Sequence, residues 1–195
     1  AVLWTRELPA GKGMIALDHG ADFEARTEPS PLRRATIELV LQGRSLVVRE
    51  LDIGVGPIRG FVDVEACGLA PAPGYADVIA DEAALAALVE LLREEAWALV
   101  TGLLARHDQL YGARRWFVTL LLTMLATDAR VALRVPSLAT LACVQTLDGG
   151  AISLAEIDQI VKDQGQLEWV PANTPGAGIR NPPIVREDAP VIAAL

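Results

Sequence analysis

The residues that could do chemistry are few and scattered. Two histidines stand beside aspartates, as Asp18-His19 and His107-Asp108, and no motif surrounds either. Each predicts an ordinary surface pair with a carboxylate. Cys67 lies beside Gly68 with no basic neighbour in sequence to depress its thiol pKa, so it does not read as a nucleophile. Gly150, Ile152, Ser153 and Glu156 fall at the glycine, apolar, ninth and twelfth places of a calcium-binding loop. The first, third and fifth places hold Gln145, Leu147 and Gly149, and the last two offer no side-chain oxygen. A capping box accounts for the same residues better: Ser153 caps a helix and Glu156 reaches back to it. The sequence holds no C-x-x-C, H-E-x-x-H, G-x-S-x-G or G-x-x-x-x-G-K. Metal, acyl-transfer and phosphate-loop chemistry therefore lack support, and no catalytic, cofactor or metal residues are expected.

The whole chain narrows the partners. Its 195 residues suffice for one large or two small domains with a real core. With 52% hydrophobic and 22% charged residues it is not a disordered chain. A net charge of −8 argues against nucleic acid or an anionic membrane surface, because phosphate binding wants a basic face. Cys67 and Cys143 are too few for a disulfide scaffold and fit a reducing cytoplasm. The most apolar run, 116–126, is far short of the ~20 residues that a membrane span needs. No charged start leads into an apolar run, so no signal peptide is expected. A first residue of Ala1 entering directly on a strand-like Val2-Leu3-Trp4-Thr5 reads as a piece of something longer.

The elements that must position these residues change character midway. Residues 1–64 read as strands. Met14 to Leu17 is a short apolar strand after a Gly11-Lys12-Gly13 turn. The stretch from Gly20 to Pro31 is polar and blocked by Pro29 and Pro31. Ala35 to Leu41 and Ser45 to Leu51 both alternate, with Gln42-Gly43-Arg44 between them, which predicts a hairpin. Ile58 to Val64 predicts a third strand, completing an antiparallel meander with one buried face. After a Pro/Gly-rich loop at 66–75 the period becomes helical. Leu85, Leu88, Leu92, Ala96, Val100 and Leu103 predict one long helix over Asp81 to Arg106.

A second helix is expected over Ala113 to Thr127. Trp116, Phe117, Val118, Leu120, Leu121, Leu122, Met124 and Leu125 make it apolar nearly all round, so it must be sandwiched. Burial within the chain is favoured; a homodimer through this helix is the alternative. Pro136 ends a short extended piece. A third helix runs from Ser153 to about Gln164, followed by a strand at Leu167 to Val170, a mobile loop over 171–183 and a short closing helix at 188–195. Trp97 and Trp116 are expected in the core, and any exposed tryptophan, Trp169 among them, would suggest an interface anchor.

The stretch Gly56 to Glu65 joins the two halves. With its run of Ile58, Gly60, Val62, Asp63, Glu65 and Leu69 it resembles the 90-kilodalton heat-shock chaperones. There a strand ends roughly I-x-G-V-V-D-S-x-D-L-P-L-N-x-S-R-E before a helix. The resemblance implies a transducer-like middle segment, which couples a nucleotide domain to clients and does no chemistry alone. It also makes Asp52-Ile53-Gly54-Val55-Gly56 worth weighing as D-x-G-x-G, the adenine box of the GHKL ATPases to which these chaperones belong. The companion helical asparagine is missing, since the first Asn is Asn173, and a glycine turn between strands explains the residues. In the family an arginine of the S-R-E part reaches the terminal phosphate. That place falls near Tyr75, and no Arg or Lys occurs between Arg59 and Arg93. A neutral phenol cannot replace that cation. Arg59 reads as a strand-edge salt-bridge residue.

The expectation is an α+β chain: an antiparallel meander packed on a long helix, then a helical segment and a small α/β tail. Residues 1–110 would form a transducer-like domain and 111–195 an accessory module. The expected function is a non-catalytic middle or client-binding region of a chaperone-like ATPase. Its partners would be protein clients or an upstream ATPase domain, with Arg59, Tyr75 and Trp169 as candidate interaction residues. A free-standing interaction or oligomerisation scaffold is the alternative.

Overall fold

The computed structural model describes residues 4–19, 31–74, 77–79, 81–178 and 182–187. Tyr75, most of the polar stretch 20–31 and the expected closing helix at 188–195 lie outside them. The fold is α+β, and the chain divides into two compact units, Ala1–Leu110 and Tyr111–Leu195.

The first unit is a five-stranded sheet and a long helix. Its strands are β1 (Thr5–Glu7), β2 (Gly13–Leu17), β3 (Arg34–Leu41), β4 (Arg44–Asp52) and β5 (Ile58–Asp63). The hairpin β3–β4 forms where alternation places it. Its turn needs left-handed backbone at two successive positions, and Gln42 and Gly43 sit at φ 49° and 78°. Ala35, Ile37, Leu39 and Leu41 all point to the buried face.

The sheet is not the simple meander the sequence predicts. Its order is β1-β2-β5-β3-β4, and β5 runs parallel to β3. The chain leaves β4, passes the start of β3 and inserts β5 on the far side. The reason lies in the loop 53–57. The N–H groups of Ile53 and Gly54 both donate to the Arg33 carbonyl, at 2.9 and 3.2 Å, while Ile53, Val55 and Pro57 are buried. Burying this apolar loop under the end of β3 carries the chain across.

The insertion needs glycine at its centre. Ile15 and Ile37 pair across Gly60 from either side. A Cβ on Gly60 would lie 2.3 Å from the Met14 carbonyl oxygen and 2.9 Å from the Ile15 Cα.

Two further short strands, β6 (Ala70–Pro71) and β7 (Val78–Ile79), form a hairpin before α1 (Glu82–Leu104). Asp81 caps α1, its carboxylate accepting from Ala83 and Ala84 N–H at 2.9 and 3.4 Å. Leu88, Leu92, Ala96, Leu99, Val100 and Leu103 form the buried stripe at helical spacing. Arg93 donates to the Ile53 carbonyl at 3.0 Å, and Arg6 of β1 pairs with Glu95. Both contacts tie α1 to the sheet.

The second unit opens with α2 (Arg114–Thr127) and α3 (Arg130–Arg134). The piece before Pro136, expected to be extended, is thus helical. The Asp128 carboxylate accepts the Arg130 N–H at 3.0 Å, and Val131 anchors the turn in the interior. Next come β8 (Val144–Gln145), β9 (Ala151–Ile152), α4 (Leu154–Gln164), β10 (Trp169–Pro171) and β11 (Val185–Glu187). β10 and β11 pair in parallel, joined through the Pro/Gly-rich stretch at 171–183. Val118, Leu122, Val144, Ile152, Ile157 and Val185 form this unit's core.

Two local expectations hold. Ser153 accepts the Glu156 N–H, while Glu156 accepts the N–H and hydroxyl of Ser153 at 2.8 Å each, a complete capping box. In α2, Phe117, Val118, Leu120, Leu121, Leu122 and Met124 are all buried within the single chain. Among the described residues no helix is long and apolar enough to cross a membrane.

These features give two expected outcomes. Leu121 is fully buried. Leu121→Glu should therefore unfold the chain or sharply lower its melting temperature by circular dichroism, because a carboxylate is stranded among apolar groups. A folded variant of unchanged stability would contradict this placement. Ser153→Ala should cost about 0.5–2 kcal/mol by urea unfolding. Accepting from Ser153 lowers the Glu156 pKa from its ordinary 4.5. A depressed folded pKa stabilises above the unfolded value and is lost as pH falls through the folded one. The wild-type advantage over Ser153→Ala should therefore shrink as pH drops below about 4.5.

Candidate functional site

Two concave surfaces stand out among the described residues, one in each unit. The first follows from where α1 lies. The helix lies toward the β1–β2 side of the sheet, where Arg6 pairs with Glu95. The β3–β4 side of the same face is left to the small β6–β7 hairpin. Between them opens a groove of ≈ 270 Å3, with Leu39, Leu51 and Leu69 lining its interior and Val78, Ile79 and Leu85 along it. Leu39 and Leu69 are buried, whereas Ile79 is 53% and Leu85 37% exposed. Arg49 reaches Asp77 at 2.6 Å at this site, and that bond lowers the Asp77 pKa. β4 is an edge strand and pairs only with β3 among the described residues. An apolar groove beside a strand edge suits an extended apolar segment, which can add main-chain bonds to the edge and place side chains in the groove.

The second surface is a cleft of ≈ 480 Å3 in the C-terminal unit. The start of α2 brings Arg114 and Arg115 to it, and β11 brings Arg186 and Glu187. Glu187 is only 5% exposed. It accepts the Gln145 N–H at 2.8 Å and lies 4.0 Å from Arg115. Arg114 donates to the Ala142 carbonyl at 3.3 Å. Val118, Leu122 and Ala142 give the cleft an apolar wall. A turn closes one side, where Asp148 accepts the Thr146 hydroxyl at 2.5 Å and the Gly150 N–H at 3.2 Å.

Cys143 lines this cleft in surroundings that disfavour its thiolate. Burial, and then the Glu187 carboxylate, push its thiol up to about 11. Burial likewise raises the Cys67 pKa. Both cysteines are free thiols. Among the described residues no group of three or more His, Cys, Asp or Glu could hold a metal ion.

Of the candidate interaction residues of the sequence, Arg59 and Trp169 lie in different units and each is described within its own. Arg59 lies on β5, a central strand rather than an edge, because β5 inserts between β2 and β3. It pairs with Asp18 at 2.8 Å, so the salt bridge is present though the edge is not. Tyr75 lies outside the described residues. Trp169 is 45% exposed on β10. Trp97 is buried and Trp116 only partly so. His107 contacts Asp108 at 3.0 Å, and His19 stacks at a tilt on Trp4 with ring centres 5.9 Å apart. Both surfaces escape sequence reasoning because each gathers residues from distant stretches. The Arg114-Arg115 pair at a helix start was the available signal for the second.

The protonated thiols make a direct prediction. At about pH 8, where an ordinary thiol is partly ionised, native protein should react with a disulfide reagent far more slowly than unfolded protein, at both cysteines. A fast native phase would show that one thiol is activated. No protein-family model, no curated protein and no solved structure matches this chain.

Proposed function

We propose that the chain is a non-catalytic binding region that holds extended apolar segments of protein clients in the groove between β4, β6–β7 and the start of α1. The observation that carries this is the exposure of Ile79 and Leu85 over a buried apolar floor, beside a strand edge. Apolar side chains left exposed together in this way mark interaction surfaces. The likeness of the β5 stretch to the heat-shock chaperones supports the same reading. On it, the chain is a transducer-like segment that responds to a nucleotide domain elsewhere in a cytoplasmic GHKL-type ATPase. The raised thiols support a role without covalent chemistry. A free-standing scaffold that self-associates is the second reading, favoured by the exposed Trp169. A gene segment upstream encoding E-x-x-x-N and then D-x-G-x-G would decide for the first.

The test uses a permanently unfolded client, reduced carboxymethylated α-lactalbumin, with binding followed by fluorescence anisotropy. The wild-type chain should bind it. Ile79→Asp with Leu85→Glu should weaken binding by about tenfold or more, since two apolar contacts are replaced by charges. Both positions are exposed, so the fold should survive. Equal binding by the variant, or none by the wild type, would overturn the groove as the site. The same protein should release no phosphate from ATP above the buffer rate. Hydrolysis that follows the protein through purification would refute the non-catalytic reading.

A further inference from the structure

We infer that the sheet face turned away from α1 docks a basic amphipathic helix of a partner protein, along one row of side chains: Glu7, Met14, Phe61, Glu38 and Val48. This inference is independent of the client-binding groove, which lies on the other face. Strand pairing defines the row. Glu7 stands opposite Met14, Met14 opposite Phe61, Phe61 opposite Glu38, and Glu38 opposite Val48, so each of β1 to β5 supplies one residue. Alternation along the strands sets its direction. Arg6, next to Glu7, reaches Glu95 of α1. Ile15, Ile37 and Val62, next to Met14, Glu38 and Phe61, are fully buried. The row therefore projects from the opposite face.

Two features of the row call for a partner. Val48 is 57% and Phe61 39% exposed, and the half-buried Met14 stands beside Phe61. Apolar side chains scattered singly are ordinary, whereas three on one line form a contact strip. The second feature is charge. Among the described residues Glu7 and Glu38 make no hydrogen bond or ion pair. The arginines of the same face are engaged, Arg59 by Asp18 and Arg34 by Glu50. Glu38 is half-buried between Phe61 and Val48. A partly desolvated carboxylate without a donor is costly, and a lysine or arginine satisfies it best.

Spacing selects a helix as the occupant. Neighbouring strands lie about 4.8 Å apart, so Glu7 and Glu38 stand roughly 14 Å apart, with Met14 and Phe61 at even steps between them. A helix rising about 1.5 Å per residue presents i, i+3, i+7 and i+10 on one face, at steps of about 4.5, 10.5 and 15 Å. Basic residues at i and i+10 then meet Glu7 and Glu38, and apolar residues at i+3 and i+7 meet Met14 and Phe61. An extended segment repeats on one face about every 6.6 Å and falls out of step with the row.

The experiment is fluorescence anisotropy on the whole chain. Its probe is a labelled synthetic peptide with lysine at i and i+10, leucine at i+3 and i+7, and alanine and glutamine elsewhere. The wild-type chain should bind it, and the peptide with glutamate in place of both lysines should bind about tenfold more weakly or not at all. Glu38→Gln and Phe61→Ala should each weaken binding by about tenfold or more. Both side chains face outward, so the circular dichroism of the variants should match the wild type. Glu168→Gln removes an exposed carboxylate from the other unit and should leave binding unchanged, which separates docking from general attraction to an acidic chain. Glu7→Lys with Glu38→Lys should reverse the preference and bind the glutamate peptide. The groove variant Ile79→Asp with Leu85→Glu should bind the lysine peptide as the wild type does, so the result stands apart from that of the client test. No binding by the wild type would overturn the inference. So would equal binding by Glu38→Gln and Phe61→Ala, or loss of binding in the groove variant. A dimer by light scattering that Phe61→Ala dissolves would assign the face to a second copy and overturn the partner helix.

Discussion

The first unit depends on a chain crossing accomplished between Asp52 and Ile58. The strand β4 ends on one side of β3, and β5 must begin on the other. Four hydrogen bonds hold the link: the Arg33 carbonyl accepts from Ile53 and Gly54, the Asp52 carboxylate accepts the Gly54 N–H at 2.9 Å, and Arg93 of α1 donates to the Ile53 carbonyl. Buried backbone must find partners, and here the partners are the strand being crossed and the helix packed above it. The same loop therefore fixes the strand order and fastens α1. With α1 packed toward β1 and β2, the β3–β4 side of the same face has only the short β6–β7 hairpin over it, and the groove follows.

Legibility in the sequence tracks the range of the forces involved. The β3–β4 hairpin was readable because alternation and a Gln42-Gly43 turn are both local. The two long helices were readable from period, and the α4 start from the reciprocal reach of Ser153 and Glu156. The place of β5 was not, because consecutive antiparallel strands and a crossover carry the same alternation. What distinguishes them is a contact from Ile53 back to Arg33, which no periodicity records. The short helix α3 was hidden for another reason: five residues are too few for a repeat to show, and one carboxylate at Asp128 starts it.

The sites were less legible than the fold. Aligned motifs drew attention to Arg59 and Tyr75, yet Arg59 is satisfied by Asp18 on the outside of the sheet. The arginines that do gather lie at the start of one helix and on a strand some seventy residues later. Pairing of Thr146 with Val185, and of Gln145 with the Glu187 carboxylate, is what brings β11 to the hairpin of β8 and β9. Charge clustering of this kind is a property of the tertiary fold, and the overall acidity of the chain concealed it.

Gly60 separates two kinds of information that a sequence mixes together. It belongs to the run of residues that most resembles a known family, and it sits where a methyl group would collide with the backbone of β2. Any chain that threads a strand between these two neighbours at this spacing would keep glycine there, whatever its ancestry or task. Constancy at this position across a set of variants would thus measure steric exclusion and not selection for activity. Evidence of shared descent has to come from letters that the sheet leaves free to change, such as the exposed Glu65 just beyond it.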